Sequence, residues 1–352
     1  MSLIETGGKN KNGEVILAEI IMEVLSWLPI KPLARAQLVC KQWRALIKDH
    51  KFMEEHMNRS QVVHNWFNIT STHSELAPNY ISMSYLHGCN GLVLMKNNTS
   101  HNYMLWNPAT ALVLDLPAPH EGNYGFALSF MPLSRNYKIV SLFKDSGKRG
   151  CELLTPGGSM AWRPLPFPDL VNTGEELVVP AGAAVHCVVL AKAGEAEIVS
   201  LDVETEVLTL NRLPRGVFSP RESARAIDWD GKLAFAAVVG QDLQLMVLQD
   251  YKKKRWCRDK EVIPLPFLKD KAFKGNTVVA LFKKEGSIWF WLKNEKVFEY
   301  TIETGKTSDV QQSKGFSPLH KLYSFKPSLV TFEGMRADDE FKIYRPHNLW
   351  LD

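Results

Sequence analysis

The sequence predicts a small all-α segment at the N-terminus, followed by a mainly-β propeller of six blades. Three patterns support this fold class. Apolar residues recur with helical spacing between residues 14 and 48, short apolar runs alternate with turn residues from residue 61 onward, and a repeat of about 50 residues runs through the second part. The 352 residues suffice for one large domain and one small one.

The composition is that of a globular protein without a marked charge bias. Apolar residues make up 45% of the chain and charged residues 23%, which provides for a sizeable core. The formal charge of +4, from 42 basic and 38 acidic residues, is too small to indicate nucleic-acid binding. Residues 1–14 lack the apolar stretch of a secretory signal, and no run of 18 apolar residues indicates a membrane span. We therefore expect no nucleic-acid partner and no membrane partner.

The cysteines indicate the redox environment. They are odd in number, widely spaced and form no C-x-x-C pair, which is typical of reduced thiols rather than of disulfides or a zinc site. They are Cys40, Cys89, Cys151, Cys187 and Cys257. This pattern favours a location in the nucleus and/or the cytoplasm.

The N-terminal segment has the spacing of amphipathic helices. The apolar face of the first helix consists of Ile20, Ile21, Val24, Leu25 and Leu28. Pro29 ends this helix because it lacks a backbone donor, and Pro32 suits the first turn of the next. The period continues with Leu33, Ala36, Val39, Cys40, Trp43 and Ile47, so two or three short helices are expected. So small a unit must pack against the rest of the chain or against another protein.

The stretch from Ile16 to Ile47 resembles an F-box, a three-helix unit. The features that match lie in three groups: Leu28-Pro29 with Leu33 and Arg35, then Val39-Cys40-Lys41 with Trp43, and finally Phe52 and His56. The family usually opens with Leu-Pro where this chain has Ile16-Leu17, so the fixed backbone geometry of proline is lost there. We expect a flexible tail over residues 1–13, the F-box over 14–59 and the propeller over 60–352.

The resemblance implies that the helices pack against a Skp-type adaptor, which joins the chain to a cullin. The implied adaptor contacts are Ile16, Leu17, Ile20, Leu28, Pro29, Ile30, Val39, Cys40 and Trp43. Some of these side chains could equally form the core of the helical unit. Both interpretations stay open for Trp43 and for Val24, whereas a corner position favours the interface for Leu28 and Pro29.

From residue 61 onward the pattern is that of short antiparallel strands separated by turns. The clearest strands are 92–95, 137–143, 183–191, 232–239 and 288–292. A Leu-Pro pair closes successive units, at residues 116–117, 165–166, 213–214 and 265–266. The separations of 49, 48 and 52 residues predict four-stranded blades of a kelch-like propeller. Five or six such units fit after residue 61, and we expect six blades, with a strand near residues 62–69 completing the last one.

The second part also resembles the F-box-associated domain of plant F-box proteins. The matching segments follow the family's order: H-G-C-N-G-L-V-L, L-W-N-P-A-T, N-Y-K-I-V, G-A-A-V-H-C, I-V-S-L-D-V-E-T-E-V, D-G-K-L and V-F-E-Y-T-I-E-T-G. The two resemblances together imply the substrate-recognition subunit of an SCF-type (cullin-RING) ubiquitin ligase. Its propeller would bind a target protein for ubiquitination.

No residue pattern indicates catalysis, so we expect a non-catalytic subunit without metal or cofactor. Asp228 and Asp230 precede Gly231 and fit a turn better than a carboxylate pair. The basic run 252–255 fits a solvated hairpin turn better than a nuclear import signal. Two alternatives remain open: a propeller enzyme or small-molecule sensor, and an adaptor-binding F-box protein without ligase activity.

Overall fold

A computed structural model describes most of the chain. The described residues are 8–9, 15–16, 18–59, 63–66, 83–171, 173–191, 195–219, 222–269, 278–284, 286–292, 297–309, 322–325 and 328–337. They belong to two compact units. Unit 1 combines Met1–Leu116 with Lys321–Asp352, and unit 2 is Pro117–His320. Among the helices of the described ranges, none has the length and apolarity needed to cross a membrane.

Unit 1 begins with a short antiparallel pair of strands and four helices. The strands are β1 (Gly8–Lys9) and β2 (Val15–Ile16). The helices are α1 (Ala18–Ser26), α2 (Ile30–Ala36), α3 (Lys41–Ile47) and α4 (His50–Arg59). The three helices expected up to Ile47 are therefore present, and Pro32 lies in the first turn of α2 as predicted. The fourth helix was not expected.

Side chains at the helix starts explain these boundaries. The Sγ of Cys40, the residue before α3, accepts a hydrogen bond from the backbone N–H of Trp43 at 3.4 Å. Asp49 does the same for α4, since its Oδ1 accepts from the N–H groups of Lys51 and Phe52 at 2.9 Å and 3.4 Å. Each bond satisfies a donor that the first turn of a helix leaves unpaired.

The first blade also belongs to unit 1. After β3 (Val63–Trp66), the strands β4 (Met83–Cys89), β5 (Leu92–Asn97), β6 (Tyr103–Asn107) and β7 (Leu112–Leu116) pair in sequence order to form blade 1. Trp106, Val93 and Met95 fill its core. The turn between β6 and β7 contains the Asn-Pro-Ala-Thr motif singled out in the sequence.

Unit 2 contains four more blades, whose strands pair in sequence order except that the last strand of blade 4, β20, pairs with β18. Blade 2 consists of β8 (Asn123–Met131), β9 (Asn136–Asp145), β10 (Lys148–Leu154) and β11 (Arg163–Leu165). Blade 3 consists of β12 (Glu175–Ala181), β13 (Ala184–Leu190), β14 (Ala196–Asp202) and β15 (Leu208–Arg212). Blade 4 consists of β16 (Arg225–Trp229), β17 (Lys232–Val239), β18 (Asp242–Asp250), β19 (Arg255–Trp256) and β20 (Glu261–Pro264). Blade 5 consists of β21 (Val278–Lys284), β22 (Ser287–Leu292), β23 (Val297–Thr301) and β24 (Lys306–Asp309).

The Leu-Pro pairs mark the ends of blades, as their spacing predicts. Strands β7 and β11 end at Leu116 and Leu165, while Leu213 and Leu265 directly follow β15 and β20. Leu213 and Leu265 are buried in the apolar layers between neighbouring blades of unit 2. The leucine therefore packs the end of a blade, and proline follows where no further strand donor is needed.

The predicted number of six blades is wrong, since the described residues form five. The strand expected near residues 62–69 exists as β3, but it pairs with β25 (Leu322–Phe325) in a separate two-stranded sheet. The remaining C-terminal strand, β26 (Arg336–Ala337), adds a fifth strand to blade 1 beside β7. The prediction of six blades assumed that every stretch of about 50 residues after residue 60 forms a blade. Some of those residues form β3, β25 and β26 instead.

Candidate functional site

An apolar core lies between the helices of the N-terminal segment and sets which of their faces are buried. Leu25, Leu33, Ile47 and Phe52 are fully buried there. They come from α1, α2, α3 and α4 in turn, so each helix contributes one anchor. The faces of the helices that do not point at this core are available to a partner.

Exposed apolar side chains are concentrated on this segment. Nine large apolar side chains stand exposed in the described part of the chain, and five of them lie between residues 18 and 59. Ile20, Val24 and Trp27 recur at intervals of four and three residues, which places them on one side of α1. Leu38 and Val39 lie in the turn between α2 and α3 and are 76% and 64% exposed.

The turn that carries Leu38 and Val39 is held by backbone hydrogen bonds. The N–H of Leu38 donates to the carbonyl of Arg35 at 2.9 Å, and the N–H of Val39 donates to the carbonyl of Ala36 at 3.1 Å. The two side chains are thus presented to solvent by a fixed backbone. A partner that covers them has little chain entropy to overcome.

The corner between α1 and α2 is fixed from α4. The Nε2 of His56 is hydrogen-bonded to the carbonyl oxygen of Leu28 at 2.9 Å. Burial lowers the pKa of His56, although the bond to Leu28 opposes the shift. The ring is therefore neutral near pH 7 and donates this bond from Nε2. The His56 predicted as part of the F-box tail thus holds the Leu28-Pro29 corner in place.

A charged network supports the exposed Trp27. The guanidinium of Arg59 lies 4.8 Å from the centre of the Trp27 ring and forms ion pairs with Glu23 at 2.8 Å and Glu55 at 2.6 Å. The Nε1 of Trp27 donates to Glu23 Oε1 at 3.1 Å. The hydrogen bond that Glu23 accepts from Arg59 lowers the pKa of the Glu23 carboxyl group, so this carboxylate is charged at neutral pH. The indole is held against the helix with its outer face open.

The predicted adaptor contacts differ widely in exposure. Ile20, Pro29, Val39 and Cys40 are exposed, while Leu28 and Trp43 are half-buried and pack partly on the helical core. Ile16 lies in β2, and Leu17 lies outside the described residues. Ile30 is only 6% exposed and packs in the helical core, so its contact with an adaptor stays a prediction that this packing disfavours.

Sequence reasoning missed two exposed residues and left one undecided. Trp27 and Leu38 were not among the predicted contacts, yet they are 67% and 76% exposed. Val24, for which both interpretations were open, is exposed. The signal for Trp27 was available, since it continues the spacing of Ile20 and Val24 along α1.

A C-terminal segment covers part of the helical core within unit 1. Leu329 is buried in the same apolar cluster as the four helical anchors, and Ala109 packs against it. Asn107 fixes both. Its Nδ2 donates to the carbonyls of Ser328 and Val330 at 3.0 Å and 2.9 Å, and its Oδ1 accepts from the N–H of Ala109 at 3.0 Å. The fully buried Asn107 of the Asn-Pro-Ala-Thr motif therefore connects blade 1 to the segment that packs on the helices.

A serine–histidine pair in blade 3 bears on the enzyme alternative. Ser200 and His186 face each other across β14 and β13, with Oγ and Nδ1 2.8 Å apart. Sequence reasoning did not find this pair, because strand register brings it together. Ser200 is 0% exposed, Asn211 donates to its Oγ at 3.1 Å, and burial lowers the pKa of His186 to about 4. A substrate cannot reach this oxygen, so the pair serves the interior of the blade.

Two cysteines of unit 2, Cys151 and Cys187, are also buried. Cys187 contacts the Tyr124 hydroxyl at 3.3 Å, and burial raises the pKa of the Cys187 thiol to about 11. Burial likewise raises the pKa of Cys151 to about 12, so both thiols are protonated. Within the described ranges, no group of three or more His, Cys, Asp or Glu side chains could hold a metal ion.

These features define a chain with an exposed apolar surface on its N-terminal helices and blades of four or five strands after them. The chain belongs to the family of F-box proteins with an F-box associated beta propeller domain. The profile of that propeller domain matches residues 42–311, and the profile of the F-box domain matches residues 18–55. The kelch-like assignment stays a prediction.

Curated relatives from Arabidopsis thaliana carry the same family name. The F-box protein At5g65850 is 25% identical over 291 residues, covering 73% of this chain and 73% of its own length. The putative F-box protein At5g52610 is 24% identical over 271 residues, covering 69% and 77%. The putative F-box protein At2g16220 is 22% identical over 381 residues, covering 89% of both chains.

Proposed function

We propose that this chain is the substrate-recognition subunit of an SCF-type cullin-RING ubiquitin ligase. Its F-box docks a Skp-type adaptor, which joins it to a cullin, and its propeller binds a target protein. The observation that carries the proposal is the set of five exposed apolar side chains on the F-box helices: Ile20, Val24, Trp27, Leu38 and Val39. The complex would act in the nucleus and/or the cytoplasm, where the free cysteines stay reduced.

Burial of these side chains provides a driving force for docking. Fully covering one Val, Leu or Ile side chain contributes about 1.5–3 kcal/mol, and aromatic side chains bury still more area. Five such residues on a preformed backbone can therefore offset a large part of the cost of association. Pro29 and Cys40 are exposed beside them in sequence and would lie at the rim of the contact.

The proposed role needs no chemistry within the chain. A target bound to the propeller is held near the ubiquitin-carrying enzyme at the other end of the cullin, so the rate gain comes from proximity. The buried Ser200–His186 pair offers no reactive oxygen to a target. Target specificity would then reside in the loops of the blades, and ligase activity in the partners.

The proposal predicts that target turnover depends on the exposed face of the F-box. Val39→Glu should leave the fold intact, because Val39 is already exposed, and should block docking by placing a carboxylate against the adaptor. Proteins that co-purify with both forms in cells should be degraded faster with the unchanged chain and should persist with the variant. The measurement is pulse-chase half-life of the shared bound proteins.

A matched variant controls for the substitution itself. Val171→Glu introduces the same charge at an exposed position of unit 2, and target turnover should stay as in the unchanged chain. Equal half-lives with the Val39→Glu variant and the unchanged chain would contradict the ligase role. If adaptor binding were lost without any change in turnover, the chain would be an F-box protein without ligase activity.

A further inference from the structure

One end of unit 2 is built from hairpin turns that contact each other from blade to blade. In a sheet whose strands pair in sequence order, the turn after the first strand and the turn after the third lie at the same end. In blades 2, 3 and 4 these include residues 132–135, 203–207, 230–231 and 251–254. We call this set of turns the turn end.

Polar contacts join the turns of neighbouring blades. The N–H groups of Leu133 and Ser134 in blade 2 donate to the Glu204 carboxylate of blade 3 at 3.3 Å and 3.1 Å. Lys252 of blade 4 forms an ion pair with Asp202 of blade 3 at 2.5 Å, and the Tyr251 hydroxyl donates to the same carboxylate at 2.8 Å. The turn end is therefore a connected surface rather than a set of separate loops.

The acidic side chains of blade 3 at this end take part in contacts of this kind. Glu206 accepts from Lys138 of blade 2 at 2.7 Å and from Arg163 of the same blade. Asp202 likewise pairs with Lys252 of blade 4, while Glu204 accepts two backbone N–H groups of blade 2. Two of these three carboxylates of blade 3 are therefore paired with cations of a neighbouring blade.

The blade 4 turn carries exposed basic side chains. Lys253, Lys254 and Arg255 are all exposed, although Lys253 also lies 4.0 Å from the Asp250 carboxylate. The turn is fixed because Asp250 Oδ1 accepts from the N–H groups of Lys252 and Lys253. Lys254 has a φ of 56°, which keeps the turn tight. Residues 252–254 lie in the hairpin turn favoured by the sequence and Arg255 begins β19, so the run gives this end an exposed positive field.

Apolar side chains accompany that field. Leu133 is 85% exposed at the tip of the blade 2 turn, and Val207 is 58% exposed where the blade 3 turn ends. The Leu133 N–H is bonded to Glu204 of that same blade 3 turn, so the two positions belong to neighbouring turns in direct contact. An exposed leucine on a backbone held by hydrogen bonds is a preformed contact for an apolar group.

We propose that the turn end of unit 2 binds the target through an acidic segment that carries an apolar side chain. The basic turn 252–255 would face the acidic residues, and Leu133 with Val207 would contact the apolar one. This inference rests on the proposed function, since it assigns the target-binding surface of the same subunit. A peptide fits better than a nucleic acid, because the large exposed side chains at this end are aliphatic and offer no stacking platform for bases.

The test uses the full-length chain and fluorescent 12-residue peptide pools. One pool has Asp or Glu at alternate positions with random apolar residues between them, and a second pool replaces Asp and Glu by Asn and Gln. We expect the acidic pool to bind, the neutral pool to bind at least tenfold more weakly, and the affinity to fall with added salt. The variant Lys253→Glu, Lys254→Glu, Arg255→Glu should lose at least tenfold in affinity for the acidic pool.

Matched controls locate the effect. The variant Lys148→Glu, Arg215→Glu, Lys269→Glu makes the same three charge reversals at exposed positions away from the turn end and should bind the acidic pool normally. Leu133→Ser should weaken binding about threefold or more, whereas Val171→Ser should not. Equal losses in both charge-reversal variants, or no loss in either, would overturn the proposal.

Two further outcomes separate this inference from the proposed function. A 12-nucleotide single-stranded DNA or anionic phospholipid vesicles that displace the acidic peptides at lower concentration would overturn the peptide assignment. Adaptor binding is measured on the same variants and should be unchanged, because the helical segment is not altered. Peptide binding without adaptor binding would refute the ligase role alone, and adaptor binding without peptide binding would refute the turn-end assignment alone.

Discussion

Replacing Val24 and Val39 together by glutamate is expected to weaken binding of a Skp-type adaptor by more than about a hundredfold. Both side chains are more than half exposed, so the free chain keeps its fold with a carboxylate at each position. A docked adaptor would have to cover two unpaired charges, each at a cost of several kcal/mol. About 2.7 kcal/mol in total already gives a hundredfold change. The measurement is calorimetric titration of the adaptor into the full-length chain.

The same substitutions elsewhere provide the control. Val171→Glu combined with Val262→Glu also replaces two exposed valines, but in unit 2, and should leave adaptor affinity within about twofold of the unchanged chain. Circular dichroism should be identical for both double variants. If the Val24 and Val39 variant bound the adaptor as tightly as the control, the exposed apolar residues of the F-box would not form the docking surface.

Asn107→Ala is expected to lower the free energy of unfolding by about 2–4 kcal/mol. The substitution leaves the carbonyls of Ser328 and Val330 without the amide donor that satisfies them inside unit 1. It also frees the segment whose Leu329 covers the helical core. Urea unfolding measures the loss, and hydrogen exchange should speed up in α1 and α4 before it does in unit 2.

Asn102→Ala is the matched control for this prediction. Asn102 is exposed in the turn between β5 and β6 of the same blade, so its replacement should change stability by no more than about 0.5 kcal/mol. An Asn107→Ala protein as stable as the Asn102→Ala protein would show that the three side-chain bonds contribute nothing. Unchanged exchange in the helices would show that Leu329 does not hold them.

Local patterns predicted the elements well. The helical period located α1 to α3, and the Leu-Pro pairs located the ends of blades in both units. Helix α4 could also have been found, because Asp49 precedes Phe52 and Met53 at the spacing of a capped apolar turn. These features depend on residues close in sequence, which is why the sequence reveals them.

The number of blades was mispredicted because it depends on which strand β3 pairs with, and that strand is distant in sequence. The apolar residues at both ends of β3, Val63 and Trp66, favour a strand but do not say which strand it pairs with, and its partner β25 lies near the other end of the chain. The Ser200–His186 pair was missed for a related reason, since cross-strand register places the two side chains opposite each other. Which strands pair, and in which register, is decided in the folded chain, so a pattern local in sequence does not reveal it.

Exposure on the helical segment was the hardest feature to predict. Ile30 and Val39 are both apolar and both fit the F-box pattern, yet Ile30 is buried and Val39 is exposed. The difference is set by the core, and part of that core comes from Leu329 and Ala109 outside the helices. A sequence pattern for the helices alone cannot show which of their faces these distant residues cover.

The most direct test of the proposed ligase role is the mass of the complex in solution. The full-length chain, a Skp-type adaptor and a cullin are mixed in equal amounts at micromolar concentration and separated by size-exclusion chromatography with light scattering. The proposal predicts one species that is heavier than the adaptor–cullin pair by 39.9 kDa, the mass of one chain. A chain that elutes alone at its own mass, beside an intact adaptor–cullin pair, would contradict it.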